Sequence, residues 1–181
     1  NAIPAVWDGE IASLPDGGVD AVVEAGFAEG APTPTVLCAL QILIAPDFRG
    51  QGLSSRMIER MGEIGRQHDL ETLIAPVRPN LKHRYPLAPI ERYIEWRRDD
   101  GTHVAPWLRT HERLGAEIVK VAPESMRVQG SVAEWEEWID LPLPESGTYV
   151  FPHGLAPLEV DRESDRCDYW EPNVWVRHRI G

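Results

Sequence analysis

The chain has 181 residues, 43% of them hydrophobic and seven of them tryptophan, enough for one domain with a buried core. Its 29 acidic and 18 basic residues give a formal net charge of −11, which argues against a nucleic-acid partner by repulsion and suits a cationic or neutral one. No apolar run reaches membrane-spanning length, no targeting segment is visible, and the two cysteines lack metal-ligand spacing, so the expectation is a cytoplasmic protein with no metal or membrane contact.

The first 35 residues carry Pro4, Pro15, Pro32 and Pro34 and an Asp16-Gly17-Gly18 turn. One helix is predicted over 18–28, with Val19, Val22, Val23 and Phe27 on one face. The unbroken apolar run 36–45 predicts a buried strand, holding Cys38 and stopped by Pro46. A loop with Arg49, Gly50, Gln51 and Gly52 follows. Leu53, Met57, Ile58, Met61 and Ile64 then recur at helical spacing and predict a helix over 53–68. Gly62 and Gly65 either weaken this helix or permit close packing. Strand, glycine loop and helix start make an anion site, because the first amides of a helix are unpaired and the macrodipole favours negative charge there.

A strand over 72–77 comes next, and a helix between two strands implies a right-handed crossover with parallel pairing. Pro76 has no amide, so the ladder should fail near it. Residues 78–89 are proline-rich. A helix is predicted over 89–98, closed by Asp99-Asp100-Gly101, and another over 106–115, closed by Gly115. Further strands are predicted at 116–121, 126–129, 147–151, 158–160 and 169–178. Ser131 and Glu134 have the spacing of a capping box before a helix ending near Trp138.

Arg49-x-x-Gly52-x-Ser54 is neither a P-loop, which ends in Gly-Lys-Ser/Thr, nor a dinucleotide fingerprint, which needs a third glycine. It resembles the acyl-CoA pyrophosphate loop of the GNAT superfamily of N-acyltransferases, whose pattern is Gln/Arg-x-x-Gly-x-Gly/Ala. Ser54 departs from that pattern but is small. Leu114-Gly115-Ala116 resembles a second family block, Tyr-x-x-Leu-Gly-aromatic, with Ala116 in place of the aromatic and His111 in place of the tyrosine.

The resemblance spans about 36–119 and implies an α/β fold: a GNAT-type mixed sheet with splayed central parallel strands and flanking helices. The N-terminal strands read as incomplete, so the chain is either a fragment or has lost residues. A strand-rich C-terminal extension follows. In domain terms, 1–181 is a single acyltransferase domain, with a cofactor-binding core at 36–119, an insertion at 81–105 and the extension at 123–181. The resemblance implies acetyl-CoA, or another acyl-CoA, as co-substrate. It places Ile42, Leu43 and Ile44 along the pantetheine arm, and Arg49, Gly50, Gln51, Gly52, Leu53 and Ser54 at the phosphates. Asn80 falls where the family has a cofactor-contacting asparagine.

His111 is the candidate catalytic residue, protonating the departing thiolate; a satisfied core histidine is the competing reading. Tyr85, Tyr93 and Trp96 are candidates for an acceptor-site lid, or for core. No general base is identified; Asp8, Glu10 and Glu24 are the carboxylates considered. The expected activity is transfer of an acyl group to the amine of a small molecule or protein. Two alternatives stay open: a GNAT-like S-acyltransferase or decarboxylase working on a carrier protein, and a non-catalytic acyl-CoA-binding module. Oligomeric state is not specified by the sequence.

Overall fold

In the computed structural model, which describes residues 1–30 and 32–181, seven strands form one mixed sheet. β1 (Ala2–Ala5) lies antiparallel to β2 (Val36–Ala39), and β2 lies parallel to β3 (Thr72–Val77). Between them runs α2 (Leu53–Gln67); α1 (Gly18–Gly26) precedes β2. α3 (Ile90–Tyr93) and α4 (Pro106–Arg113) follow β3, then β4 (Glu117–Gly130), α5 (Val132–Ile139), β5 (Gly147–Tyr149), β6 (Leu158–Asp161) and β7 (Arg166–Arg179). The fold is the α/β sheet with splayed central strands expected from the sequence. No helix of the described residues is long and apolar enough to cross a membrane.

The continuous apolar runs are explained by burial on both faces. Leu37 and Ala39 of β2, Leu73 and Ala75 of β3, and Val174 and Val176 of β7 pack towards α2, α3 and α4. The alternate residues Val36, Cys38, Ile74 and Trp175 join Trp7, Leu14 and Val22 in a second cluster. α2 sits close on its face because Gly62 and Gly65 leave room for Ile180: a Cβ at Gly65 would stand 2.5 Å from the Ile180 side chain. Close packing is therefore the role of these glycines.

Several boundaries differ from expectation for physical reasons. The strand expected at 36–45 ends at Ala39. Beyond it the amides of Leu40 and Gln41 both turn to the Asn1 carbonyl, at 3.0 and 3.2 Å, and the run leaves the sheet. β1 was not expected at all; it is short, contains Pro4 and is held by pairing with β2. The helix expected at 89–98 is a single turn, because Asp99-Asp100-Gly101 closes a hairpin in which Arg97 bridges His103, not a helix. The two strands expected at 116–121 and 126–129 are one strand, β4, with register shifts between Ile118 and Lys120 and between Ala122 and Met126. The capping box forms: the Ser131 hydroxyl accepts from the Glu134 amide, and the Glu134 carboxylate accepts from the Ser131 amide.

β7 is the strand that organises the site. Its last residues, Val174–Arg179, pair with β3, and its first, Arg166–Tyr169, pair with β6 on the same edge. Between those ladders, at 170–173, that edge has no strand partner, and Pro172 there has no amide to leave unpaired. On the opposite edge β4 bulges past the same residues, from Ala122 opposite Asn173 to Met126 opposite Glu171. Buried Ser125 in the bulge accepts a hydrogen bond from the Val19 amide at 3.0 Å and so docks the start of α1.

Candidate active site

β2 and β3 share two register pairs, Leu37–Leu73 and Cys38–Ile74, and then part. Into the gap opens a cavity of about 600 Å³. One wall is the segment 39–43 that leaves the sheet, and the facing wall is Ala75 to Arg78 at the end of β3. α4 contributes Trp107 and His111, the unpaired stretch of β7 contributes Glu171 and Asn173, and Val19 and Met126 close one side. The lining is mainly apolar, with its polar groups few and convergent, as expected of a small-molecule site.

The segment 42–44 keeps its backbone groups available. Among the described residues, none hydrogen-bonds the backbone of Ile42, Leu43 or Ile44. Ile42 and Leu43 line the cavity; Ile44 lies further out, beside α2 in a shallower groove that also holds Arg56 and Arg60. Leu43 is 77% exposed, unusual for a leucine in an apolar run.

At the mouth of that groove Pro46–Phe48 form a 3₁₀ turn, and Gly50 and Gly52 adopt left-handed φ values of 76° and 71°. These values favour glycine. Gly52 is the N-cap of α2 with no capping side chain, and the first helical bond runs from the Arg56 amide to the Gly52 carbonyl. The amides from Gly50 to Ser55 thus find no backbone acceptor among the described residues. Unpaired amides on a 15-residue helix, with exposed Arg49 and Arg56 beside them, fit a polyanion such as a pyrophosphate. The loop residues predicted from the sequence are thus brought together.

His111 is 4% exposed and lies on the cavity wall. Its Nδ1 is 2.8 Å from Nε2 of His178, a buried residue of β7. Burial, helped by the neighbouring ring of His178, lowers the His111 pKa to about 3, so the imidazole is neutral at pH 7. His178 is also shifted down, with burial as the leading cause.

Asn80 is not brought to the cavity. It opens a 3₁₀ turn, Asn80–Arg84, and its Oδ1 is buried without a partner. Tyr85, Tyr93 and Trp96 do not line the cavity either. They pack on one another, with Tyr85 and Tyr93 at 5.0 and 5.1 Å from Trp96 between ring centres; Tyr93 is buried in the core, Tyr85 is exposed, and none of the three covers this cavity. Asp8 is tied to Ser13 and the Glu10 amide, outside this cavity.

Glu171 and Asn173 were not singled out from the sequence. Arg78 donates to both oxygens of Glu171, at 2.8 and 3.0 Å, and the Tyr169 hydroxyl donates at 3.2 Å. Asn173 is 2% exposed; its Nδ2 donates to the Pro76 carbonyl while Oδ1 has no partner. Their only signal was Pro172, a proline within an otherwise central strand, which marks a break in pairing.

No family model matches the chain. It is similar to the arginine N-acetyltransferase avaD of Aspergillus versicolor, with 35% identity over 189 residues, 92% of this chain and 65% of that protein. The chain thus spans slightly less than two thirds of that relative's length. Its fold is similar to the loading GNATL domain of CurA from Lyngbya majuscula, with a TM-score of 0.61, 21% identity and coverage of 99% of this chain and 68% of that one. It is also similar to the GphF GNAT-like decarboxylase in complex with isobutyryl-CoA, with a TM-score of 0.56, 16% identity and coverage of 99% and 70%.

Proposed function

We propose that the chain is a GNAT-type acyltransferase that moves an acetyl group from acetyl-CoA to the amine of a small cationic acceptor. The observation that carries this reading is the parting of β2 and β3 after Cys38–Ile74, which joins the anion-binding loop to a cavity holding His111. The phosphates would meet the amides from Gly50 to Ser55 with Arg49. The pantetheine amides would pair with the free backbone of Ile42, Leu43 and Ile44 as an added strand.

The relative is an arginine N-acetyltransferase, and the net charge of −11 suits a cationic acceptor. In its neutral form the amine attacks the thioester carbonyl; a C–N bond forms and the C–S bond breaks. His111, neutral at pH 7, takes the excess proton from the nitrogen and returns it to the thiolate. This keeps His111 as the donor to the leaving group and also supplies the base that the sequence did not identify. Cys38 and Cys167, both buried and unpaired, support a reducing compartment, and the cytoplasm is the proposed location.

The test is acetyl-CoA turnover with a panel of amines, including arginine. Release of CoA with acetylation of an amine is expected. Transfer only to a phosphopantetheine thiol on a carrier protein would replace this reading by the carrier-bound alternative. CoA binding without turnover on either acceptor would leave a binding module.

A further inference from the structure

We infer that Arg78, Glu171 and Asn173 form the head-group site of the acceptor, and that the acceptor is a free α-amino acid: Arg78 takes its carboxylate, and Asn173 Oδ1 holds the α-nitrogen that is acylated. The inference deepens the proposed function and rests on it for the chemistry, but the recognition is open to test by binding alone.

The three side chains share the cavity wall where one edge of β7 has no strand partner. β3 ends at Val77, so Arg78 is the first residue beyond its ladder with β7. Glu171 and Asn173 stand two residues apart in the unpaired stretch, about 7 Å along an extended strand. Arg78 is hydrogen-bonded to Glu171, so a ligand that meets both Arg78 and Asn173 along this wall is short.

The free donors and acceptors give the polarity of that ligand. A guanidinium has five N–H groups. Arg78 spends its Nε–H and one Nη2–H on Glu171, at 2.8 and 3.0 Å, and the other Nη2–H on the His153 carbonyl at 3.0 Å. These bonds hold the guanidinium from two sides and leave both N–H groups of Nη1 for a carboxylate. Glu171 Oε2 accepts from Arg78 and from the Tyr169 hydroxyl, whereas Oε1 accepts from Arg78 alone. Asn173 Nδ2 donates to the Pro76 carbonyl at 3.3 Å, which fixes the amide, because the flipped form would set two oxygens against each other. Its Oδ1 is left without a donor among the described residues, in a residue 2% exposed. An unpaired buried acceptor is costly, and an N–H brought by a ligand removes the cost.

Donors therefore remain at Arg78, and acceptors at Glu171 and Asn173. Charge agrees with this. Arg78 and Glu171 cancel, so the wall suits neither a simple anion nor a simple cation but a zwitterion, with carboxylate and ammonium on neighbouring atoms. A carboxylic acid alone would leave the Asn173 oxygen unmet, and an amine alone would leave Nη1 unmet. In the transfer the α-ammonium gives one proton to solvent. The neutral nitrogen then bonds to the acetyl carbon as the C–S bond breaks, and its second proton leaves with the CoA thiol.

The test sets arginine, as a cationic α-amino acid, against arginine methyl ester and agmatine, which keep the amine and the side chain but lack the free carboxylate. With acetyl-CoA, kcat/KM for arginine should exceed that for either by about tenfold or more, with acetylation at the α-nitrogen. Arg78→Met should erase the preference by raising KM for arginine, with acetyl-CoA affinity unchanged. The ratio between acceptors is read on one sample, so a loss of folded protein in the variant cancels. Equal use of arginine and agmatine by the parent, or a preference that survives in Arg78→Met, overturns the inference.

Asn173→Leu removes the unpaired oxygen and should lower turnover of arginine about tenfold or more per folded molecule. Unchanged turnover would make Asn173 a core residue and overturn its assignment. If the parent turns over no acceptor, the proposed function falls, and calorimetry of arginine and agmatine on the CoA-bound protein decides the recognition. Arginine binding that is lost with agmatine and in Arg78→Met supports it; equal binding, or none, overturns it.

Discussion

β3 has two edges with opposite fates. Towards β7 it is paired across six residues, Thr72 to Val77; towards β2 it is paired at two, Leu73 and Ile74. The strand is the same, so its own propensity does not explain the difference. The partner does. β7 continues straight and buried past β3, whereas the run after Ala39 is drawn aside by the Asn1 carbonyl and stopped at Pro46. The closed edge fixes side chains, among them His178. The open edge leaves backbone groups free for a ligand.

The largest expected effect separates what those edges do. His111→Ala should lower turnover about 10²–10⁴-fold, the range of a general acid–base, with acyl-CoA affinity nearly intact because the open edge and loop are untouched. Turnover and melting temperature should be measured on the same sample. A destabilised variant with full turnover per folded molecule would return His111 to the core and leave only the ligand-binding edge supported.

The open edge was legible in the sequence; most of the closed edge's contribution was not. Pro46, Arg49, Gly52 and the periodicity from Leu53 lie within about a dozen consecutive residues, and each has a local physical meaning: a stop, a charge, a left-handed turn and a helix face. Val36–Ala39 and Thr72–Val77 followed from apolar continuity. His111 was found through the sequence around it. By contrast, Glu171 and Asn173 matter because a bulge in β4 and the change of partner along β7 bring them to the cavity, and His178 because β7 holds it against His111, from about 60 residues downstream of α4. Long-range register leaves no local pattern. Asn80 shows the opposite error: its sequence position looked right, but the chain turns there into a 3₁₀ segment away from the cavity.

Acidification should weaken the closed side next. Folded pKa values of about 3 for His111 and about 4 for His103, and a depressed value for His178, all lie below the usual 6.5, with burial as the leading cause. The unfolded chain therefore binds more protons as the pH falls. The stability is fully present above about pH 6.5 and is lost towards the folded values, at up to about 1.4 kcal/mol per pH unit for each histidine. Between pH 6.5 and about 5 ordinary carboxylates remain ionised in both states, so thermal melts over this window isolate the histidines. A flat melting temperature across it would mean that these rings are not held neutral.

On the open side, Arg49→Ala should weaken acyl-CoA binding by about 1–3 kcal/mol, the scale of a charged hydrogen bond, without changing the melting temperature. Arg49 is exposed and forms no ion pair with the described residues, so nothing in the fold depends on its charge. Calorimetry at low and high salt checks this. An affinity independent of both the substitution and the salt would place the phosphates elsewhere.

The smallest effect on the fold, and the sharpest discrimination, belongs to Gly52→Ala. Its φ of 71° costs an alanine about 1–2 kcal/mol, while the added Cβ would meet no protein atom within 4 Å. Gly101, in the Arg97–His103 hairpin and outside the cavity, provides the matched control: φ is 79° and its Cβ would also meet nothing. Both variants should lose a similar, modest amount of stability. Only Gly52→Ala should also lose acyl-CoA affinity, because its Cβ stands among the unpaired amides that begin α2 and hinders the approach of a phosphate. Equal CoA affinity in the two variants would show that the glycine loop merely turns the chain, and the open edge would then lack its anion anchor.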